Sequence, residues 1–171
     1  VSVATTQFPS TVPHLGNTGG ANGQLDALDD RLYAAHIRNG RLWTAHNFRV
    51  STGGVASTAT GNRNGTRWYE LQNLNTTPTV VQSGTVFDST ATNPKHYWIP
   101  SIMVSGQGHA AMGFSAAGNT TAASAAYTGR LAGDSAGAMQ APTIYAAGAG
   151  NYNPAADPGD RKSTRLNSSH T

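Results

Sequence analysis

The stretch from Arg31 to Val50, "RLYAAHIRNGRLWTAHNFRV", constrains this chain most. Asn39-Gly40 stands between two apolar segments, and a two-residue type I′ turn needs positive φ at both central positions, which Asn and Gly accept most readily. Such a turn fixes the pairing by arithmetic. Arg38 faces Arg41, Ile37 faces Leu42, His36 faces Trp43, Ala34 faces Ala45 and Tyr33 faces His46. One face of the hairpin then carries Ala34, His36, Trp43 and Ala45; the other carries Tyr33, Ala35, Ile37, Leu42, Thr44 and His46. Neither face is polar, so a sheet built on this hairpin is predicted to be covered on both sides.

Two more strands follow, "TRWYELQ" around Trp68 and "PTVVQSGTVF" from Pro78 to Phe87, completing an antiparallel group of four. The pattern then recurs: "YWIPSIMVSGQGHAAMGFS" reads as strand, Gly-rich turn and strand, "SAAYTGRL" as a third strand and "PTIYAAG" as a fourth. Gly40 and Gly108 in the two hairpin turns lie 68 residues apart, and the strings beginning at Pro78 and Pro142 lie 64 apart. A four-stranded unit repeated at near-fixed spacing is the mark of propeller blades packed face to face. The expected fold is therefore all-β, an incomplete β-propeller of about two blades, with an eight-stranded β-sandwich as the alternative. "LDALDDRL" has a brief helical look, but Asp29 and Asp30 are expected in the loop that feeds the first strand. Residues 1–24, rich in Thr, Pro, Gly and Asn, read as an extended or flexible segment ahead of a propeller-like domain over 25–159.

Composition narrows the chemistry. There is no Cys among the 171 residues, which removes disulfides, thiolate metal sites and a Cys nucleophile. No apolar run approaches the roughly 18 residues of a membrane helix, and the start, "VSVATTQFPS", lacks the basic and apolar regions of a signal peptide. The net charge of +3 would suggest an anionic partner. That charge comes mostly from the last twelve residues, "DRKSTRLNSSHT". The segment "DRKSTRLNSSH" resembles, codon for codon, the conceptual translation of a short-read sequencing adapter, so 160–171 is expected to be a foreign tail and the authentic sequence to stop near Gly159. Without it Lys+Arg falls from 11 to 8 and Asp+Glu from 8 to 7, leaving +1. Nucleic acid is then not expected as a partner.

Few residues are candidates for chemistry. "GNRNGTRW", Gly61 to Trp68, has the Gly and Trp spacing of the sialidase Asp-box, with Gly61 and Arg63 where Ser and Asp would stand. Arg31 and Arg130 are the candidate binding residues, since Arg forks grip carboxylates in two-point fashion. The single Glu, Glu70, lies mid-strand with Tyr69 on the opposite face, which keeps the two from acting together. His36 and His46 fall on opposite faces of the hairpin, His96 and His109 lack nearby carboxylates, and Asp26, Asp29 and Asp30 lack EF-hand spacing. No metal or other cofactor is expected. Ser135 in "GDSAGAM" lacks a nucleophile elbow. The sequons at Asn64, Asn75 and Asn119 would matter only in a eukaryotic secretory host.

Together, "RLWTAHN", "RWYEL", "YWIPSI", "MGFS" and "YTGRLAGD" resemble a group of large secreted bacterial proteins that carry a sialidase-like β-propeller. The likeness spans roughly Leu25 to Asn153. It implies an extracellular protein, longer at both ends, with its signal peptide outside this chain. It also implies a scaffold or recognition surface for glycans or cell-surface polymers, with exposed Trp and Tyr at blade edges for stacking. The alternative is part of a sialidase-like glycoside hydrolase whose acid and base lie elsewhere.

Overall fold

A computed structural model describes residues 1–153. The tail at 160–171 and the end of the 25–159 domain lie outside the described residues. Eight strands form two antiparallel four-stranded sheets. The first comprises β1 (Ala34–Arg38), β2 (Arg41–Val50), β3 (Arg63–Gln72) and β4 (Thr79–Val86); the second comprises β5 (His96–Val104), β6 (Ala110–Gly118), β7 (Thr121–Arg130) and β8 (Thr143–Ala146). Within each sheet, sequential strands are neighbours. No α-helix occurs among the described residues, and no helix there is long and apolar enough to cross a membrane.

The first hairpin has the register its turn dictates, from Ala34↔Ala45 to Arg38↔Arg41. Asn39 and Gly40 have φ of 51° and 70°, the pair of left-handed residues a type I′ turn demands. Tyr33 stops short of the ladder, its N–H donating to the Ala45 carbonyl. "GNRNGTRW" makes no hairpin turn: Arg63 to Trp68 lie inside β3, and Gly65 pairs with Phe48.

The two sheets stack. Trp43, Ala45, Trp68 and Val86 of the first meet Ile102, Met112, Phe114 and Ala126 of the second in one core, where the Trp43 and Trp68 rings lie 5.5 Å apart and 13° from parallel. The hairpin tips lie together, Asn39 Nδ2 donating to the Gly106 carbonyl and His36 Nε2 lying 3.3 Å from the Val104 carbonyl. At the other end of the sheets His96, at the start of β5, accepts from the Asn64 N–H. β5 therefore runs in the direction of β1. The loop between β7 and β8 reaches β4, where the Gly137 N–H donates to the Gln82 side chain. Strand direction and strand order are thus the same in both sheets, a relation of displacement. A two-fold axis between the sheets would reverse one of them.

Displacement brings unlike faces together. The face of the first sheet that carries Trp43, Ala45 and Trp68, here the b face, is buried against the a face of the second, which carries Met112, Phe114 and Thr128. Counting from Gly40 and Gly108, Trp43 and Ala45 correspond to Ala111 and Gly113; since Ala45 pairs with Trp68 and Gly113 with Tyr127, Trp68 corresponds to Tyr127. The same registers place Gly84 opposite Trp68 and Thr143 opposite Tyr127. The strings at Pro78 and Pro142 thus fall on equivalent strands, five residues out of structural register.

Residues ahead of the first hairpin cover the outer a face of the first sheet over β2 and β3, whereas Ile37 on β1 stays 62% exposed, so the cover its apolar pattern predicts is partial. The Arg49 N–H donates to the Gln7 carbonyl, and Ser10 and Asn64 exchange hydrogen bonds. Farther on, Val12 is fully buried with Leu25, Ala27, Trp98 and Ala117. The buried Asn47 ties this entry loop to the second sheet: it accepts from the Ile99 N–H at 2.8 Å and donates to the Ala27 carbonyl at 3.1 Å. Ile99 has φ of 52°, a strained value for a β-branched residue, and with Pro100 it interrupts the pairing of β5.

At Gly84 a side chain has no room. A Cβ there would collide with the Gly137 carbonyl oxygen and lie 2.9 Å from Trp68 Nε1, whereas a Cβ on Gly133 meets nothing within 4 Å. Gly84→Ala is expected to lower stability by about 2 kcal/mol, shifting Tm down by roughly 4–8 °C. Gly133→Ala should fall within about 0.5 kcal/mol of the parent in the same thermal melts.

Candidate functional site

The sheet pairing collects the candidate residues in three places. On the a face of the first sheet a cavity of about 550 Å3 is floored by Leu42, Thr44, His46, Tyr69 and Leu71, and roofed by Val1 to Thr6. Arg31 stands on its rim. Arg31 Nε and Nη2 engage one Asp29 oxygen at 2.7 and 2.5 Å, and its side chain remains 76% exposed. That hydrogen bond holds the Asp29 carboxyl below the usual carboxylate range, against a smaller opposing push from burial.

His46 and Tyr69 meet on the cavity floor. His46 Nδ1 is 2.6 Å from the Asp30 carbonyl, which can only accept, so Nδ1 carries the proton and Nε2 accepts from the Tyr69 hydroxyl at 3.0 Å. Burial lowers the His46 pKa and raises that of Tyr69. A phenol and an imidazole ordinarily differ by about 3.5 pKa units, so moving the proton from Tyr69 to His46 starts about 5 kcal/mol uphill. Burial widens the gap, and the pair stays neutral.

Arg130 lies elsewhere. Its Nε and Nη2 donate to the carbonyls of Ala138 and Asp134 while the guanidinium sits 5.6 Å from the Trp68 ring centroid. It braces the β7–β8 loop against the sheet interface, and with 5% exposure it is far less open to a ligand than Arg31. Glu70 faces the sheet interface, accepting from Gln82 Nε2 at 2.6 Å with Arg41 3.8 Å away, while Tyr69 faces the opposite side. Ser135 stands in an exposed loop, and Asn64 is buried where Asn75 and Asn119 are exposed.

The third place is the start of β3 and β5. Arg63, wholly buried, donates to the carbonyls of Asp88 and Thr90, beside His96. His36 points into the sheet interface and His46 away from it; His109 accepts from the Ala132 N–H. Asp30 accepts from the Thr6 hydroxyl, and Asp26 caps the Leu28 N–H. Among the described residues no three His, Asp or Glu side chains gather where one ion could touch them all.

Sequence reasoning missed the His46–Tyr69 pair. Residues 51–62 separate β2 from β3, too long a connection for turn arithmetic to set which residues meet. Compared with protein-family models, with curated proteins and with solved structures, the chain matches none.

Acid should first be felt at the two buried histidines whose pKa burial lowers, His46 and above all His96. Burial, reinforced by the Arg63 charge, pushes the His96 pKa from 6.5 down to about 4. The neutral ring therefore favours the fold fully above pH 6.5, and that contribution, about 3 kcal/mol, is lost as pH falls towards 4. Asp88 responds at lower pH. Burial pushes its carboxyl up, but hydrogen bonds from Lys95 and Thr90 outweigh this and bring it to about 2, so its share is lost below pH 3.8. Urea unfolding of His96→Gln should show a flatter stability profile between pH 6.5 and 4 and an unchanged limb below.

Proposed function

We propose that the chain is part of a secreted, bacterial β-propeller-like protein whose two sheets are consecutive blades, serving as a scaffold and recognition surface for glycans or cell-surface polymers. The displacement of one sheet onto the other, b face on a face, supports this reading best. Blades arranged about an axis meet in that way, whereas two equivalent sheets closed as a two-fold sandwich would bury like faces.

The side chains favour recognition over hydrolysis. A glycosidase needs a free carboxylate pair or an activated nucleophile. Here the single Glu is held by Gln82 in the sheet interface, and Tyr69 is a buried, protonated phenol. Trp43, Trp68 and Trp98 are all in cores, so Tyr127, Tyr145 and Tyr152 are the tyrosines exposed for stacking, and Arg31 is the candidate for contact with a charged group. Its Nε edge rests on Asp29; the end carrying Nη1 remains for a carboxylate of an acidic sugar.

Calorimetric titration with sialylated and uronate-containing oligosaccharides tests the reading. Arg31→Ala should weaken binding about tenfold, the loss of one charge-assisted contact. Binding that ignores Arg31→Ala would remove this site. Release of an aryl sialoside's leaving group, abolished by Tyr69→Phe, would replace recognition with catalysis.

A further inference from the structure

We propose that Arg38 and Arg41, opposed across the first hairpin turn, form a binding site for a tetrahedral oxyanion, a phosphate or sulfate monoester carried by a ligand. The site is separate from Arg31 and adds to the recognition reading, on which it rests only for the polymer that bears the ester.

The hairpin register creates the site. Arg38 and Arg41 are direct cross-strand partners on either side of Asn39 and Gly40. Side chains paired in this way leave the same face of the sheet with Cβ atoms about 5 Å apart, and like charges so placed repel. In a chain with only 11% charged residues, two cations thus stand opposed where a two-residue turn allows no slip.

Neither guanidinium is neutralised by a close ion pair. Among the described residues Arg38 donates no side-chain hydrogen bond and meets no carboxylate. Its fork lies over the β5–β6 turn, where a Cβ on Gly106 would come within 3.0 Å of Nη2, so the glycine leaves it room. Asn39 holds that turn in place through the Gly106 carbonyl. Arg41 is steadied from the other side: Nη1 donates to Gln72, and Nε lies 3.8 Å from Glu70. That separation is longer than a charge-assisted hydrogen bond, and Glu70 is shared with Gln82. Two arginines against one carboxylate leave the site positive.

The arrangement selects among anions. A planar carboxylate offers two oxygens, which one guanidinium fork satisfies. A phosphate or sulfate monoester offers three, so it can accept from Arg38 and Arg41 together while its charge offsets their repulsion. The location suits a ligand in a longer protein. Blades pack through their faces, whereas Arg38 and Arg41 sit at the strand tips, the first exposed and the second with 36% of its side chain open.

Titration of the full chain at constant ionic strength with glucose 6-phosphate, glucose 6-sulfate and glucuronate tests the site, read from the amide NMR shifts of Gly40 and Gly106. A local readout keeps the basic residues of 160–171 out of the result. Both esters should give saturable shifts with Kd of about 1 mM, and glucuronate should bind about tenfold more weakly. The tighter ester identifies the group recognised. Arg38→Gln and Arg41→Gln should each weaken ester binding about tenfold, and Arg38→Gln should leave Tm unchanged or raised, because it removes a like-charge opposition. Arg38→Lys, which keeps the charge and loses the fork, should also bind more weakly. Shifts that grow without saturating, glucuronate binding as tightly as the esters, or ester binding that persists in Arg38→Gln overturns the proposal. Arg31→Ala should leave these shifts unchanged, so this site and the Arg31 reading stand or fall separately.

Discussion

The structure depends on Trp68. Its ring stacks on Trp43 within the first sheet, faces the apolar side of the second and lies under the guanidinium of Arg130. Large aromatic rings supply much of the burial in a core. In this chain, with 8% aromatic residues, two of them placed side by side set the spacing between the sheets. The absence of a side chain at Gly84 follows, because the β7–β8 loop has to close over the same ring.

What is legible in the sequence follows from short connections. Asn39-Gly40 fixes a register because two residues allow a single geometry, and that register by itself sorts Trp43 from His46 and His36 from His46. The apolar pattern on both sides of the hairpin predicts a cover on both faces. Strand identity is also readable, since β-branched and aromatic runs between Gly and Asn clusters are local signals.

Long connections hide the rest. Which residues of β2 and β3 meet is settled by side-chain packing across residues 51–62, so the contact of His46 with Tyr69 has no local signature. The cover of the outer face is equally silent: Val1 to Ser10 has no periodicity, and its hydrogen bonds go to Arg49, Asn64 and Asp30, distant in sequence. Arg31 and Arg130 look alike as lone arginines near strand ends. They separate only in three dimensions, one open on Asp29 and the other turned inward to loop carbonyls.

The break in β5 at Ile99 and Pro100 has an effect beyond its own strain. β5 is an edge of the second sheet, and an edge strand with a full row of free amides and carbonyls invites a stranger's backbone to extend the ladder. Proline supplies no amide, and a left-handed residue beside it turns the next peptide out of line. β5 is thereby a poor template for a foreign strand, and the second sheet is protected against fibril-like extension along that one edge.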